Sequence, residues 1–264
     1  MRDFAMQNLR RTQTAASYSL HDTRSKVDEN SARTVTDTSP SSSRLHNTRL
    51  SLGLILALCR QQLHQMQAHS PTDWPEGTKY LRAPSYSKKL PKDKLDTILL
   101  SKAGSSSNEP VLTTRGPYAN VRITQIKDAS HPAHGQYGLF ATQHLPPNSF
   151  ILPYLGYVHD QTDLDETSDY DLSLDRELGV GVDASHMGNE ARFINDYRGI
   201  SSGPNAEFRD ILVDVGYGIL EKRMGIYVLS AGKSGKKAKG ISRGEEILLS
   251  YGKGFWAGRQ SAAI

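Results

Sequence analysis

The sequence predicts a β-rich fold of several small sheets, and three observations lead to this prediction. The C-terminal half contains many short segments in which apolar and polar residues alternate, each bounded by Gly, Pro or Asn, as is typical of short strands. Extended helical spacing is clear in one stretch near the N-terminus. Cys59 is the single cysteine in 264 residues, so an internal disulfide and a cysteine zinc cage are both excluded, and apolar burial must hold the fold together.

The N-terminal part of the chain is predicted to precede the main domain. Residues 1–43 are rich in Ser, Thr, Arg and Asp. Such a segment buries too little apolar surface to offset the entropy lost on ordering, so we expect a disordered tail. Residues 44–70 carry apolar residues at helical spacing and predict a helix, which either packs on the domain or binds a partner. Residues 71–117 contain several prolines and predict a linker with local structure, including a short helix near residues 95–101. Its lysine-rich patch consists of Lys88, Lys89, Lys92 and Lys94.

Residues 118–256 are predicted to form the folded domain, and residues 257–264 a C-terminal tail. The strand signals are short, and few helical signals interrupt them, which favours a fold of small sheets. The predicted strands cover residues 121–126, 137–141, 149–156, 171–174, 206–213, 226–230 and 246–250.

Charge is distributed unevenly along the chain, although the formal net charge is only +4. Residues 1–130 contain 19 Lys and Arg against 11 Asp and Glu, a balance of +8, whereas residues 131–264 contain 13 against 17, a balance of −4. An acidic domain fits a basic protein partner better than a nucleic acid, so we expect no direct nucleic-acid binding. No apolar run reaches the roughly 18 residues that a membrane span needs, so we expect no membrane insertion.

Four motifs follow one another in the predicted domain. The first is a glycine-containing turn at residues 134–142, HGQYGLFAT, and the second is a strand at residues 170–175, YDLSLD. The third is GNEARFIND at residues 188–196, which a Pro-Asn pair follows, and the fourth is ISRGEEILLSYG at residues 241–252. In this order, the set resembles the SET-domain protein lysine methyltransferases.

The resemblance covers roughly residues 118–256 and implies a SET fold, in which several small sheets hold a threaded, pseudo-knotted C-terminal segment. It also implies that the chain uses S-adenosylmethionine to methylate a protein lysine, with a histone as the first substrate to consider. Many relatives add zinc-binding cysteines around the domain, and this chain has none there. Histidines at 131, 134 and 144 lack a carboxylate at ligand spacing, so no metal is expected.

The resemblance further implies which residues bind the cofactor. Two of them depart from the family pattern, because Gln136 stands where the turn usually begins with Gly, and Asp196 stands where His usually follows Asn. Trp256 is expected to supply a lid over the adenine, with packing in the domain core as the alternative. The implied cofactor-binding residues are Gln136, Tyr137, Gly138, Tyr170, Arg192, Phe193, Asn195, Asp196 and Trp256.

The resemblance assigns catalysis to Tyr251, whose hydroxyl would orient the substrate amine. Residues 159–177 hold eight Asp and Glu but one basic residue, Arg176. In the family this insert forms one wall of the substrate groove, where it would attract a basic peptide; a solvated acidic loop is the alternative. The implied substrate-binding residues are Tyr154, Asp169, Asp171 and Phe255.

Two other classes of function stay open at this stage. A SET-like module could bind a lysine-bearing peptide or a chromatin partner without catalysis, which the departures at Gln136 and Asp196 favour and the retention of Asn195 and Tyr251 opposes. A nucleic-acid protein using the basic N-terminal half is disfavoured, because no groove-reading motif is present. The resemblance and the lysine-rich residues 233–240 favour the nucleus, with the cytoplasm and the mitochondrion as alternatives.

Overall fold

The computed structural model describes residues 70–104, 111–230 and 239–252 of the chain. The predicted N-terminal tail, the predicted helix up to residue 69, most of the lysine-rich segment 233–240, and the predicted lid residues Phe255 and Trp256 lie outside the described residues. Within the described part, short strands dominate and one short α-helix is present. The prediction of a β-rich fold of small sheets is therefore confirmed.

Fifteen strands and one α-helix are numbered in chain order. The strands are β1 Lys79–Tyr80, β2 Ser85–Tyr86, β3 Leu99–Ser101, β4 Val111–Leu112, β5 Val121–Gln125, β6 Tyr137–Ala141, β7 Phe150–Tyr154, β8 Tyr157–His159, β9 Asp171–Asp175, β10 Val180–Asp183, β11 Met187–Gly188, β12 Asn195–Asp196, β13 Ala206–Gly216, β14 Ile219–Val228 and β15 Leu248–Leu249. The helix α1 is Lys92–Ile98, and 3₁₀ turns lie at Lys102–Gly104, Gln161–Asp163 and Glu190–Phe193.

The largest sheet is built on the long β13–β14 hairpin. Its strand order is β3-β14-β13-β4, and β7 also pairs with β14. The sequence predicted only the C-terminal end of β14, because Glu221 and Arg223 interrupt its apolar pattern. Both side chains are buried, and Arg223 Nη2 donates to Glu221 Oε2 at 2.8 Å. The two opposite charges compensate each other, although Arg223 Nε lacks a hydrogen-bond partner, so the strand can continue where the pattern predicted an end.

The segment predicted as a linker contributes directly to the sheets. The strand β1 pairs with β11, β2 pairs with β8, and β3 and β4 extend the largest sheet at its two sides. The helix predicted near residues 95–101 is present as α1, three residues earlier. Three of these four strands have two residues each, which is too short for an alternating pattern to be detectable. The sheets therefore begin before residue 118.

One apolar core joins the sheets. It takes alternate residues of β5 and β6, the middle of β7, and the residues around β12 and β15. Side chains with at most 2% exposure include Ile123, Leu139, Ile151, Leu152, Leu155, Ile194, Leu220, Ile226 and Ile241.

The strand β15 lies between the two ends of a single preceding segment. On one edge it pairs in parallel with β12, and Tyr197 N donates to Leu249 O at 3.0 Å. On the other edge Asn205 N donates to Leu248 O at 3.0 Å, and Leu248 N donates to Asn205 Oδ1 at 2.7 Å. Neighbouring residues of a strand bond to opposite edges, so residues 197–205 must cross the strand from one edge to the other. This is the threaded arrangement that the resemblance implied.

Candidate active site

Tyr251 follows β15 and is fixed at two atoms. Its hydroxyl donates to Ile194 O at 2.6 Å, and its backbone N donates to Asp196 Oδ2 at 2.7 Å. The residue is 5% exposed, and burial raises the pKa of its phenol well above the usual range, with the Asp196 carboxylate adding to the effect. The phenol is therefore neutral at physiological pH and cannot act as a general base there.

Asp196 holds the tyrosine in place. Besides the Tyr251 N–H, its carboxylate accepts from Arg198 N at 2.9 Å and from Arg198 Nη1 at 2.9 Å. Asp196 is 7% exposed, so this nearby guanidinium compensates a charge that would otherwise be costly to bury. The Asp in place of the family His is thus an acceptor for the backbone of the candidate catalytic residue. Whether it also touches the cofactor stays a prediction.

The amide of Asn195 has one defined orientation. Its Nδ2 donates to Glu246 Oε1 at 2.9 Å and to Tyr137 O at 3.3 Å. Both partners are acceptors, so the nitrogen must face them and Oδ1 must face away. That oxygen has no partner within the part of the chain that the structure describes. The arrangement fits an incoming cationic donor, such as the ammonium group of S-adenosylmethionine.

The glycine turn brings backbone close to Asn195. A Cβ on Gly138 would lie 2.6 Å from Glu246 Oε1, so no larger residue fits unless Glu246 moves. Gln136 belongs to the turn, where its N–H donates to Ala133 O at 3.0 Å, and Tyr137 is 38% exposed beside it. The structure therefore brings Tyr137 into contact with Asn195 and places Gly138 against Glu246, the other partner of Asn195, while Gln136 precedes them in the same turn.

Arg192 and Phe193 end the 3₁₀ turn that leads into β12. Arg192 Nε donates to Ala184 O at 3.0 Å, and its guanidinium carbon lies 4.4 Å from the centre of the Tyr170 ring and 5.1 Å from that of Phe193. These contacts fix the two rings through cation–π attraction. Arg192 Nε is thus committed to a carbonyl of the chain itself, and the part of Arg192 in the cofactor pocket stays a prediction.

Trp74 is an aromatic neighbour that the sequence reasoning missed. The Trp74 ring packs edge to face against the Phe193 ring, with centroids 5.7 Å apart, and the Tyr137 ring packs against Phe193 with centroids 6.1 Å apart. A hydrogen bond of 2.7 Å from Trp74 Nε1 to Thr78 O fixes the indole. Trp74 lies in a proline-containing segment without periodicity, so the sequence offered no signal beyond a large apolar residue in a polar stretch.

Two of the predicted substrate residues, Tyr154 and Asp171, use their polar groups in hydrogen bonds within the chain. Tyr154 is 2% exposed and its hydroxyl donates to Tyr170 O at 2.7 Å. Asp171 Oδ1 lies 3.1 Å from His159 Nε2, and its side chain is 8% exposed. Burial and the Asp183 carboxylate are the main causes that raise the pKa of the Tyr154 phenol, and the phenol of Tyr251 is a smaller one. Tyr154 therefore lies near Tyr251. Asp169 is half-buried, and its part in substrate binding stays a prediction.

The acidic insert is partly neutralised by lysines of the chain. Lys89 Nζ lies 2.8 Å from Asp163 Oδ1, and Lys94 Nζ lies 2.9 Å from Asp160 Oδ2. Both lysines belong to the patch that the sequence predicted to lie in a linker. The field that a basic peptide would meet is therefore weaker than eight acids against one base suggested.

Within the described ranges, no group of three or more His, Cys, Asp and Glu residues could hold a metal ion. No helix in the same ranges is long and apolar enough to cross a membrane.

Comparison with known proteins identifies the domain. The family model described as SET domain matches residues 136–252, from the glycine turn to the residue after Tyr251. The chain is also similar to the putative histone-lysine N-methyltransferase ASHH4 of Arabidopsis thaliana, at 27% identity over 164 residues. That match covers 58% of this chain and 41% of the plant protein, so the chain spans less than half of that relative.

Solved structures give weaker likenesses. The Chaetomium thermophilum Polycomb Repressive Complex 2 bound to GSK126 matches at 22% identity with a TM-score of 0.38, over 56% of this chain and 18% of that chain. The ctPRC2 structure in an autoinhibited conformation bound to S-adenosylmethionine matches at 22% identity with a TM-score of 0.37, over 54% and 16%. At such TM-scores neither likeness bears on function.

Residues 136–252 therefore form a SET domain, which contains the convergent residues Gly138, Asn195 and Tyr251. The matched segment, which is less than half of the chain, supports the resemblance to the SET-domain protein lysine methyltransferases that the motifs indicated.

Proposed function

We propose that this chain is an S-adenosylmethionine-dependent protein-lysine N-methyltransferase with Tyr251 as its catalytic residue. One observation carries the proposal: the Tyr251 hydroxyl is bonded to the carbonyl of Ile194, the residue immediately before Asn195. A candidate amine-orienting phenol and a candidate cofactor-binding amide thus lie side by side, although 56 positions separate them in the sequence.

The residues present fit the cofactor. Asn195 Oδ1 faces away from two acceptors and can accept from the ammonium group, while Gly138 leaves room for close approach of the backbone. Phe193, with Trp74 and Tyr137 against its ring, offers an apolar surface beside them. When bound, S-adenosylmethionine supplies a methyl group on a positively charged sulfur.

The protein must supply position and a neutral amine. Holding two reactants in line contributes on the order of 7 to 11 kcal/mol. Deprotonating a lysine of pKa about 10.4 at pH 7 costs about 4.6 kcal/mol, at about 1.36 kcal/mol for each pKa unit, and a buried channel next to a positive charge lowers that cost. The hydroxyl hydrogen of Tyr251 is donated to Ile194 O, so its oxygen can act toward the amine only as an acceptor.

The substrate is proposed to be a basic protein, with histone lysine as the first to test. The acidity of residues 131–264 supports a basic partner, and the plant relative is named a putative histone-lysine N-methyltransferase. A histone substrate would place the protein in the nucleus.

The deciding experiment is transfer of a labelled methyl group to core histones and to a whole-cell extract. Label in a lysine of the substrate, together with its loss in Tyr251→Phe, supports the proposal. Calorimetry with S-adenosylhomocysteine separates the second candidate, a non-catalytic peptide-binding module: a measurable isotherm supports the enzyme, and a silent one with peptide binding retained supports the module. That candidate is favoured by the internal hydrogen bonds of Tyr154 and Asp171, which leave less of the predicted groove for a substrate.

A further inference from the structure

His131 lies outside the four sequence motifs and is joined to Asn195 through the carboxylate of Glu246. His131 Nε2 lies 3.0 Å from Glu246 Oε2, and Glu246 Oε1 accepts from Asn195 Nδ2 at 2.9 Å. The side chains of His131 and Glu246 are each 9% exposed. The three groups form a continuous chain from a surface loop to the candidate cofactor amide.

The loop fixes which ring nitrogen of His131 carries the proton. Ala133 N donates to Nδ1 at 3.0 Å, so Nδ1 is an acceptor in the neutral ring. The proton must then sit on Nε2, which faces Glu246. His131 therefore donates to Glu246 Oε2, and the carboxylate has one oxygen for each of its two donors.

The carboxylate has little freedom of its own. Glu246 Oε1 would lie 2.6 Å from a Cβ on Gly138, so one side of the group is against backbone. Without a donor at Oε2, one oxygen of a nearly buried carboxylate would lose its partner, which favours turning the group toward water. Asn195 Nδ2 would then keep only its 3.3 Å hydrogen bond to Tyr137 O, so the preference for presenting Oδ1 outward would weaken.

We propose that His131 is a positioning residue for the cofactor site: through Glu246 it fixes the orientation in which Asn195 offers its oxygen to the ammonium group. The proposal rests on the function proposed above and adds a residue on which that function depends. His131 does not touch the reacting atoms, so its effect falls on cofactor affinity and on the KM for the cofactor, rather than on kcat at saturation.

Two substitutions separate this role from simple support of the loop. The nitrogen of His131→Gln reaches about as far as Nε2 and can still donate to Glu246. The shorter His131→Asn can accept from Ala133 N at the place of Nδ1 but cannot reach Glu246. His134→Ala is the matched control, because His134 is an exposed histidine of the same loop.

Affinity for S-adenosylhomocysteine is measured by calorimetry on the full chain, with melting temperature recorded for every variant. We expect His131→Asn to weaken binding about 3-fold to 10-fold, the range for losing one positioned hydrogen bond, and to raise the KM for S-adenosylmethionine in parallel, with kcat within about 2-fold. His131→Gln and His134→Ala should stay within about 2-fold of wild type.

The outcomes are distinguishable. If the wild-type protein binds S-adenosylhomocysteine and His131→Asn binds it equally well, the positioning role is overturned. The role is also overturned if His131→Gln binds as weakly as His131→Asn. Either result leaves the methyltransferase proposal intact. A silent wild-type isotherm overturns both. If His131→Asn does not fold, His131→Gln alone decides, since a 10-fold loss there would show that a donor at Nε2 is not what matters.

Discussion

Replacing Tyr251 with Phe removes one hydroxyl from a buried site and tests the proposed chemistry directly. The hydroxyl donates to the carbonyl of Ile194, a residue with no exposed surface, so its loss leaves that oxygen without this donor and costs about 1 kcal/mol. For a domain of this size the melting temperature should fall by about 2 to 4 °C. Total stabilities are on the order of 5 to 15 kcal/mol, so the variant remains folded.

Turnover should fall far more than stability. Loss of one positioned polar group typically lowers kcat about 10-fold to 1,000-fold, and we expect Tyr251→Phe to lie in that range with cofactor affinity nearly unchanged. The assay is transfer of a labelled methyl group to one protein substrate. Tyr86→Phe is the control, because it also removes a hydroxyl that donates a hydrogen bond inside the protein, in this case to Glu221 on β14. Turnover of Tyr251→Phe within about 2-fold of wild type would refute the assignment.

Three further predictions concern the surroundings of the site. Gly138→Ala should weaken binding of S-adenosylhomocysteine by at least about 10-fold in calorimetry, because its Cβ would displace Glu246, whereas Gly203→Ala, with open space around its Cβ, should not. The chain has two tryptophans, so in a variant in which Phe replaces the other one, the fluorescence of Trp74 should change when S-adenosylhomocysteine binds beside Phe193. Glu190→Gln should gain melting temperature relative to wild type as pH rises from about 4.5 to about 7.5. Burial raises the pKa of the Glu190 carboxyl in the folded state. The contribution of this carboxyl to the folding stability of the wild type is therefore complete at a pH below its ordinary pKa. It is lost as the pH rises through the raised pKa.

Each of these predictions has a contrary outcome. Equal affinities of Gly138→Ala and Gly203→Ala would mean that Glu246 accommodates a methyl group at no cost. An unchanged Trp74 spectrum at saturating ligand would place the indole away from the bound molecule. A melting difference for Glu190→Gln that is constant with pH would show that the buried carboxyl titrates as it does in the unfolded chain.

The sequence predicted strands where one face is apolar and missed those with buried polar residues. β5 follows the alternating rule, with Val121 and Ile123 buried and Arg122 exposed. β8 contains His159, which is buried because Asp171 on β9, on the far side of β10 in the same sheet, binds it. A polar residue whose partner is distant in sequence looks like a surface residue until the fold is known.

The same limit applies to the candidate site. The resemblance assigned Asn195 and Tyr251, which the structure brings together, because each stands in a local motif. His131 and Trp74 act only through contacts with residues 115 and 119 positions away, and nothing in their own neighbourhood indicates this. Asp196 was recognised as a departure from the family, but its hydrogen bond to Tyr251 N required coordinates.

The crossing of β15 by residues 197–205 has a consequence for how the protein is made. β15 is synthesised after every other numbered strand, so a nascent chain can form the long hairpin and the small sheets before β15 pairs with β12. Both edges of β15 pair only when Leu248 and Leu249 are in place, and Tyr251 arrives in the same movement. The candidate active site should therefore form late during synthesis, after most of the backbone has acquired its shape.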